Sequence, residues 1–552
     1  MIARAAIVVS AVALAACRAA APSADSVLFN GRIFTANDSQ PWARALAIRG
    51  ERVIAVGDTA AILALAGPST RRLDLGGRTV VPGFNDAHQH IEITPPATDL
   101  VLPHEPTLGQ IETAIKTALP TVPPGHLLRG LFGQTAWGEP GFTRAWLDQL
   151  APDTPVWLAG VTGHGVLLNS AALALVDLQD QVRDPDGGTF GRDERGRLNG
   201  RLDEYAGELA DRRLAIKAGP AVAAARYRAF AAEAVTYGIT TIQLIADSLP
   251  IVATSTALVE AGAPIRWKVY RFPMREAGGD TIDSRPPLPP QPTPRIHVRG
   301  MKWILDGTPI ERLAFMRAPY LDASASARPS SGEPWRGRLN LPVGRIEAFV
   351  GWAYGSEDPL LVHAFGDAAI DAYVSALEKT GRPEVWRAKR PRIEHGDMMS
   401  SDLQTRVKAI GAVVVQNPSH FTFPEVFLAR YGAERVAWMQ PMKSLVDRGI
   451  PLAIGSDGPM NPFLNVLWAS THPVNPAEAL TREQALTAYT RGSAFAEFAE
   501  REKGQLAVGM LADLAVLSAD VFTVANEQIG EIRSVLTLVG GGVAHDTGVI
   551  RP

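Results

Sequence analysis

The sequence is poor in cysteine, in clustered positive charge and in long apolar runs. Cys17 is its only cysteine, so no disulfide can form within the chain. Basic and acidic residues nearly balance at 54 and 57, and no basic cluster stands out, so nucleic acid is not an expected partner. After residue 17, no apolar run looks long enough to cross a bilayer.

Two common catalytic motifs are also missing. The sequence has no Gly-x-x-x-x-Gly-Lys phosphate loop. It has no Gly-x-Ser-x-Gly nucleophile elbow either. Phosphate-loop chemistry and a serine hydrolase are therefore not expected.

Residues 1–17 are typical of a bacterial export signal. A single positive charge at Arg4 precedes a run, residues 5–16, that is apolar apart from Ser10. The run ends in Leu-Ala-Ala-Cys, which resembles the lipobox of bacterial lipoproteins, so cleavage would leave Cys17 as a lipidated N-terminus. The alternative is an ordinary secretory signal that is cut nearby. In both cases we expect a protein of the bacterial cell envelope, either periplasmic or lipid-anchored. The lipid anchor, if it is attached, would be its only contact with the membrane.

Both ends of the remaining chain have the sequence pattern of β-strands. Short apolar runs separated by turns occupy residues 26–29, 45–48, 53–56, 513–517 and 534–539. We predict that residues 25–78 and 504–552 form one small, discontinuous β-sandwich domain.

Between the two ends, apolar runs alternate with helical stretches, which predicts an α/β fold built from parallel βα units. Eight runs follow this pattern: 79–84, 239–245, 265–272, 300–305, 360–363, 392–395, 412–416 and 452–454. Eight units indicate a distorted TIM (β/α)8 barrel over residues 79–503. The span from about residue 91 to 231 is too long for one βα connection and contains a ninth run, 155–160, so we expect an inserted subdomain there.

The apolar runs end in residues that bind metals. His88 and His90 lie two apart, so on a strand both side chains point to the same face and can reach one ion. Four further runs carry or end in the residues Lys302, His363, His395 and Asp457. Because the carboxyl ends of barrel strands meet at one rim, these side chains are expected to converge there.

The motifs that carry these residues resemble the metal-dependent amidohydrolase superfamily, and within it the amidohydrolase 3 branch that includes N-substituted formamide deformylases. They occur in the order Pro-Gly-Phe-Asn-Asp-Ala-His-Gln-His, Lys-Trp-Ile-Leu-Asp-Gly, His-Ala-Phe-Gly-Asp-Ala-Ala-Ile, Arg-Ile-Glu-His and Gly-Ser-Asp-Gly-Pro. The resemblance runs over nearly the whole chain after the signal segment.

The resemblance implies a divalent metal centre. Its ligands would be His88, His90, His363, His395 and Asp457, and Lys302 matches the position of a carboxylated lysine that bridges two ions, most often Zn²⁺. A neutral lysine amine adds CO₂ to form a carbamate, and burial would favour the neutral amine. If Lys302 instead forms a structural ion pair, with Asp306 for example, a single metal would be held by the other ligands.

The resemblance also implies a reaction. A metal-activated hydroxide would attack the carbonyl of a small-molecule amide or cyclic amide, and Asp457 would act as general base and return the proton to the leaving nitrogen. Two alternatives stay open. One is an ester or lactone hydrolase, or an isomerase, on the same site, and the other is a non-catalytic envelope lipoprotein that binds ligands.

Substrate contacts are less well marked in the sequence. His164 and His420 are candidate substrate contacts because the first lies in a segment similar to one near the family's substrate and the second follows the seventh run. Trp137 is a candidate for the wall of an apolar pocket, with core packing as the alternative. Asp367 and Glu394, which lie close to the expected ligands in the sequence, are expected to orient them.

Overall fold

The computed structural model describes residues 23–274, 289–321 and 333–550. The expected export signal and Cys17 therefore lie outside the described residues. No helix in these three ranges is both long and apolar enough to cross a membrane.

Eight parallel strands form a nearly closed barrel, and their order around it follows the chain. We number them β1 Phe84–Gln89, β2 Ile239–Ala246, β3 Arg266–Arg271, β4 Ile296–Ile304, β5 Leu360–Ala364, β6 Arg392–His395, β7 Val413–Gln416 and β8 Leu452–Ile454. The helices between and after them are Pro220–Ala234, Ile251–Ala261, Val343–Gly355, Asp367–Thr380, Pro383–Lys389, Ser401–Ile410, Pro424–Val436, Met442–Asp447, Pro462–Thr471, Arg482–Thr487 and Ser493–Ala496. The predicted TIM-type barrel is confirmed.

The barrel is distorted where β8 meets β1, since these two strands form no ladder. The gap is bridged by hydrogen bonds from residues just beyond the end of β8 to residues of β1. Asp457 N donates to His88 O over 3.0 Å, and Ser456 N donates to Asp86 Oδ1 over 2.8 Å.

The prediction that the apolar run 79–84 forms the first barrel strand is wrong. Residues Thr79–Pro82 pair with Leu514–Leu517 in a terminal sheet, so the barrel begins at Phe84 and not at residue 79. At Gly83 the chain passes from the terminal sheet into the barrel. Only glycine fits there, because a Cβ would lie 2.2 Å from Thr240 Oγ1. The apolar run and the barrel strand are thus separate strands, and His88 lies inside β1.

The interior of the barrel is crossed by a column of buried, hydrogen-bonded polar side chains. Arg392 donates to Glu394 over 2.7 Å and to Gln243 Oε1 over 2.6 Å. Gln243 donates to Asn85 over 3.1 Å, and Asn85 donates to Glu497 over 2.7 Å. Because every step of this column is paired, the cost of burying these groups is offset.

Strands from both ends of the chain build the second unit, which confirms the predicted sandwich. A four-stranded sheet contains Ala24–Phe29, Ala45–Arg49, Arg52–Gly57 and Ala66–Asp74, and a six-stranded sheet contains Arg32–Phe34, Trp42–Ala43, Thr79–Pro82, Leu514–Leu517, Ser534–Val539 and Gly542–Asp546. The short helices Thr59–Leu63 and Asn526–Ile529 complete it. Leu28, Leu46, Leu514 and Leu536 are buried in one common core.

A third unit is inserted between β1 and β2, as expected. Its six-stranded sheet contains Ala97–Asp99, Leu127–Phe132, Val156–Gly160, Gly165–Leu168, Gly188–Arg192 and Leu198–Glu204. Its helices are Leu108–Ala118, Gln134–Trp137, Arg144–Leu150, Ser170–Leu175 and Tyr205–Ala218. Thr162 Oγ1 donates to Glu311 over 2.9 Å, which ties this unit to the loop after β4.

Candidate metal centre

A cavity of about 320 Å³ opens at the carboxyl ends of the barrel strands, and we call it the mouth cavity. Its wall includes five of the six predicted metal-site residues: His90, Lys302, His363, His395 and Asp457. His88 lies directly behind them and is fully buried. The residues that the sequence marked at separate strand ends are therefore brought together at one rim.

His88 and His90 are oriented by carboxylates on neighbouring strands. The Nδ1 of His88 lies 2.6 Å from Glu394 Oε2, at the end of β6. The Nδ1 of His90 is hydrogen-bonded to Asp247, which directly follows β2. With both Nδ1 atoms engaged, the two Nε2 atoms converge to 3.0 Å from one another. Two imidazole nitrogens in this arrangement can share one ion.

Asp457 faces both of these nitrogens. Its Oδ1 lies 3.7 Å from His88 Nε2 and 3.6 Å from His90 Nε2. Its Oδ2 lies 3.6 Å from His395 Nδ1 and 3.6 Å from His420 Nε2. The backbone of Asp457 has a φ of 45°, a left-handed conformation that the bonds across the β8–β1 gap hold in place.

His363 and His395 lie on the opposite part of the rim, with their ring centroids 4.4 Å apart. The buried Nε2 of His363 has no hydrogen-bond partner in the described part of the chain. The Nδ1 of His395 lies 2.9 Å from Asn417 Oδ1. A buried imidazole nitrogen that is left open beside other ligands fits a metal donor.

Lys302 is buried, and its Nζ lies 3.3 Å from His88 Nε2. The alternative ion pair with Asp306 does not form, because the Asp306 carboxylate accepts the backbone N–H groups of Phe315, Phe365 and Gly366 instead. Burial lowers the pKa of Lys302 to about 8, although Glu394 and Asp457 act against it. A neutral minority of this amine is therefore present near neutral pH, more than for an ordinary lysine.

The histidines fall into two electrostatic classes. Burial lowers the pKa of His88 to about 4 and that of His395 and His363 well below the ordinary value, so these rings are neutral donors. Burial also acts on His164 and His420, but Glu204 raises the pKa of the first to about 9 and Asp397 that of the second to about 10. The pKa of His90 is raised as well, since Asp247 outweighs burial.

The other predicted residues are distributed unevenly. His164 lines the mouth cavity, with its ring centroid 4.8 Å from that of His363. Trp137 is not on the wall of that cavity, because it stacks on Phe132 at 5.2 Å in the core of the inserted unit. Asp367 accepts a hydrogen bond from Arg317 N rather than from any predicted ligand.

Sequence reasoning singled out Glu394, which contacts His88, but missed the other side chains that hold the histidines. Asp247, Asp397 and Asn417 each follow a barrel strand within two residues, and Glu204 ends the last strand of the inserted sheet. Glu204 accepts from His164 Nδ1 over 2.9 Å, and Asp397 pairs with His420 over 2.9 Å. A search for any carboxylate or amide just past a predicted strand would have found them, since such positions share the rim.

The donor set fits a divalent metal. His88, His395 and Asp457 present ligand atoms within 4.8 Å of one another, as do His395, Asp397 and His420. The first group is the better site, because burial favours neutral rings at His88 and His395, whereas Asp397 raises the pKa of His420 and so favours a proton that competes with a metal ion. Nitrogen and carboxylate donors of this kind suit zinc and similar ions.

Comparisons with known proteins agree with this geometry. The model of the amidohydrolase family matches residues 71–545. The N-substituted formamide deformylase of Arthrobacter pascens is 25% identical over 551 residues, which cover 95% of this chain and 98% of that protein. The putative amidohydrolase YtcJ of Bacillus subtilis is 28% identical over 516 residues, 87% of this chain and 91% of its own length.

The fold is also similar to solved structures. A crystal structure of an uncharacterized metal-dependent hydrolase from Pyrococcus horikoshii aligns with a TM-score of 0.67 at 22% identity, covering 91% of this chain and 99% of its own. At this identity the likeness concerns the fold, and the chemistry rests on the family and on the site.

Proposed function

This chain belongs to the amidohydrolase family and is a metal-dependent hydrolase of carbon–nitrogen bonds, and from that premise we propose that it cleaves a small-molecule, non-peptide amide. The observation that carries the proposal is the convergence of His90, His395 and Asp457 in one cavity wall, with His88 directly behind it and Lys302 beside them. This set offers nitrogen donors, a carboxylate and an amine that can accept CO₂.

We propose that His88, His90, His363, His395 and Asp457 hold two Zn²⁺ ions, with Lys302 between them as its carbamate. The depressed pKa of the Lys302 amine supports this, because only the neutral amine adds CO₂. When bound, the ions would polarise a carbonyl and make water more acidic.

Asp457 is proposed as the proton carrier. Its side chain is 22% exposed, whereas those of His88 and His395 are 0% and 3% exposed, so of these three groups only Asp457 reaches well into the cavity. A carboxylate in that position can take a proton from water and deliver it to the leaving nitrogen. His164 and His420 carry protons and are proposed to donate hydrogen bonds to the substrate.

An apolar chamber next to the mouth cavity supports an apolar group on the substrate. A second chamber of about 390 Å³ adjoins the mouth cavity, and Glu92, Thr94, Val161 and Asp211 belong to both walls. The rest of its wall is largely apolar and includes Leu100, Leu102, Leu131, Trp157 and Ala159. We propose that the non-reacting part of the amide is an aliphatic or aryl group that occupies this chamber.

Turnover of an amide series by zinc-loaded protein tests the proposal. N-formyl and N-acyl amines with small and bulky apolar groups would be compared with N-acyl amino acids and aryl esters. We expect the amides with bulky apolar groups to have the highest kcat/KM. Faster turnover of the esters, or no amide turnover at all, would count against the proposal.

Asp457→Asn should remove nearly all activity, whereas Asp447→Asn, at an exposed aspartate paired with Lys443, should not. The metal content of both variants must be measured, because an inactive Asp457→Asn that has also lost its metal would not report on proton transfer. Full activity of metal-replete Asp457→Asn would exclude the proton-carrier role.

Metal stoichiometry tests the carbamate separately. Protein that is reconstituted with zinc in CO₂-depleted buffer should bind fewer ions than protein reconstituted with bicarbonate. Lys302→Met should bind the lower number in both buffers. Equal stoichiometry of the wild type in both buffers would contradict a bridging carbamate.

A further inference from the structure

A second cavity, of about 600 Å³, lies at the opposite end of the barrel, and we call it the base cavity. Residues at or next to the amino ends of β3, β4 and β5 form part of its wall, among them Lys268, His297, Arg299 and Pro359. It shares no lining residue with the mouth cavity, so it is a separate space in the described part of the molecule.

Lys268 is the unusual group in this wall. The residue is only 7% exposed, yet its ammonium forms no hydrogen bond and no ion pair within the described ranges. The nearest aromatic ring, that of Tyr270, has its centroid 5.8 Å from the Lys268 Nζ. An ammonium that is largely shielded from water and has no direct partner is costly, so an anion that enters the cavity from solvent would relieve part of that cost.

The acidic groups of the base cavity already have partners. Glu497 lies 2.8 Å from Lys503 Nζ and also accepts from Asn85. Glu357 and Asp358 lie 3.1 Å and 3.6 Å from Arg299 nitrogens.

A second cation in the wall is also left without a carboxylate. Lys389 donates to the backbone O of Ser356 and forms no ion pair among the described residues. The cavity therefore offers two ammonium groups, those of Lys268 and Lys389, that form no ion pair with a carboxylate of the described residues.

We propose that the base cavity is a binding site for a small oxyanion, a phosphate or an organic carboxylate, that pairs with Lys268 and Lys389. Oxyanions suit this site because each lysine supplies a point charge with several donors, and a partly closed cavity strengthens the attraction relative to bulk water. The exposed side chains of His297 and Arg299 lie in the same wall, where an incoming anion would pass.

Isothermal titration of the full, zinc-loaded chain tests the site, with inorganic phosphate and citrate as separate probes at low ionic strength. We expect at least one probe to bind and Lys268→Met to weaken that binding tenfold or more, with a smaller loss in Lys389→Met. Binding of phosphate but not citrate would identify a phosphate site, and the reverse a carboxylate site. Lys379→Met is the matched control, because Lys379 is an exposed lysine paired with Glu347.

The result does not depend on catalysis. Binding that Lys268→Met leaves unchanged would place the anion elsewhere, for example at the metal centre, and would overturn the proposal. So would the absence of binding of either probe. If Lys268→Met fails to fold, acylation of wild-type Lys268 can be followed by peptide mass spectrometry, where the binding anion should slow labelling of Lys268 but not of Lys379.

Discussion

At the scale of single residues, neighbouring carboxylates decide what each histidine can do. Glu394 accepts from His88 Nδ1, and two contacts with Arg392 keep that carboxylate ionised. Although burial alone would raise it, the pKa of Glu394 is lowered to about 2, first by Arg392 and then by His88. His88, which burial keeps neutral, is thereby held with its Nε2 towards the cavity.

Glu394→Gln should therefore weaken zinc binding by about 10–100-fold. The amide removes the charge that fixes the His88 tautomer and leaves Arg392 buried beside a neutral partner. Zinc affinity can be measured by competition with a chelator. Glu378→Gln, at an exposed glutamate paired with Arg406, is the control. An unchanged affinity in Glu394→Gln would show that His88 needs no such partner.

Lys268 gives a prediction for the pH dependence of stability. Burial lowers the pKa of its amine from 10.5 to about 8 in the folded protein, with Glu497 acting in the opposite direction. Below pH 8 the folded protein bears the full cost of the buried charge. Between pH 8 and 10.5 the folded lysine is neutral while the unfolded one is still protonated, so the cost falls as pH rises.

Lys268→Met should accordingly be more stable than the wild type at pH 7 in a buffer without phosphate or organic carboxylates. This advantage in stability should shrink towards pH 10.5. Urea unfolding of both proteins across this pH range would measure the difference. An advantage that stays constant or grows with pH would contradict the depressed pKa.

At the scale of elements, the turns beyond the strand ends build the site. The turn after β8 brings Asp457 against β1, and this approach leaves no room at Gly455. A Cβ on Gly455 would lie 2.5 Å from both the backbone N and the Cβ of His88. Any larger residue must push β1 and β8 apart at the point where the metal ligands meet.

Gly455→Ala should lower the free energy of unfolding by about 1–3 kcal/mol and reduce zinc binding more than its stability loss explains. Gly344→Ala is the control, since a Cβ there meets nothing within 4 Å in the first turn of Val343–Gly355. That control should be neutral or stabilising by up to about 1 kcal/mol. Normal zinc affinity in a folded Gly455→Ala would show that the strands can separate without moving His88.

At the scale of the whole molecule, a buried ion pair joins the barrel to the terminal sandwich. Arg266, at the start of β3, donates to Asp513 over 2.8 Å and 3.1 Å. The same carboxylate accepts the backbone N–H of Gly540 over 2.6 Å. The side chains of Arg266 and Asp513 are 9% and 4% exposed. If one of them is removed, water therefore cannot solvate the charge that remains.

Asp513→Asn should lower the free energy of unfolding by about 3–5 kcal/mol, because it leaves the Arg266 guanidinium buried and unpaired. The double variant Arg266→Met/Asp513→Asn should recover part of that loss. Urea unfolding followed by tryptophan fluorescence would compare the three proteins. If the double variant is as unstable as the sum of the single ones, the two side chains are not energetically coupled.

The apolar runs and their spacing along the chain were enough to predict the barrel, the sandwich from both ends and the inserted unit. Local periodicity defines strands, and a histidine two residues from another must share its face, so His88 and His90 could be identified without coordinates. The same reasoning misplaced the first strand, because the apolar run 79–82 fits either sheet equally well and only its pairing with Leu514–Leu517 assigns it.

Partners across the barrel could not be read from the chain. Asp247 is 157 residues from His90 and Glu394 is 306 residues from His88, and no local pattern relates them. The position of Trp137 could not be read from the chain either. It packs in the core of the inserted unit, and the sequence did not distinguish that core from the wall of a pocket. Strand periodicity is a property of neighbouring residues, whereas the tautomer of a histidine, the charge state of Lys302 and the isolation of Lys268 depend on which distant side chains the closed barrel brings within a few ångströms.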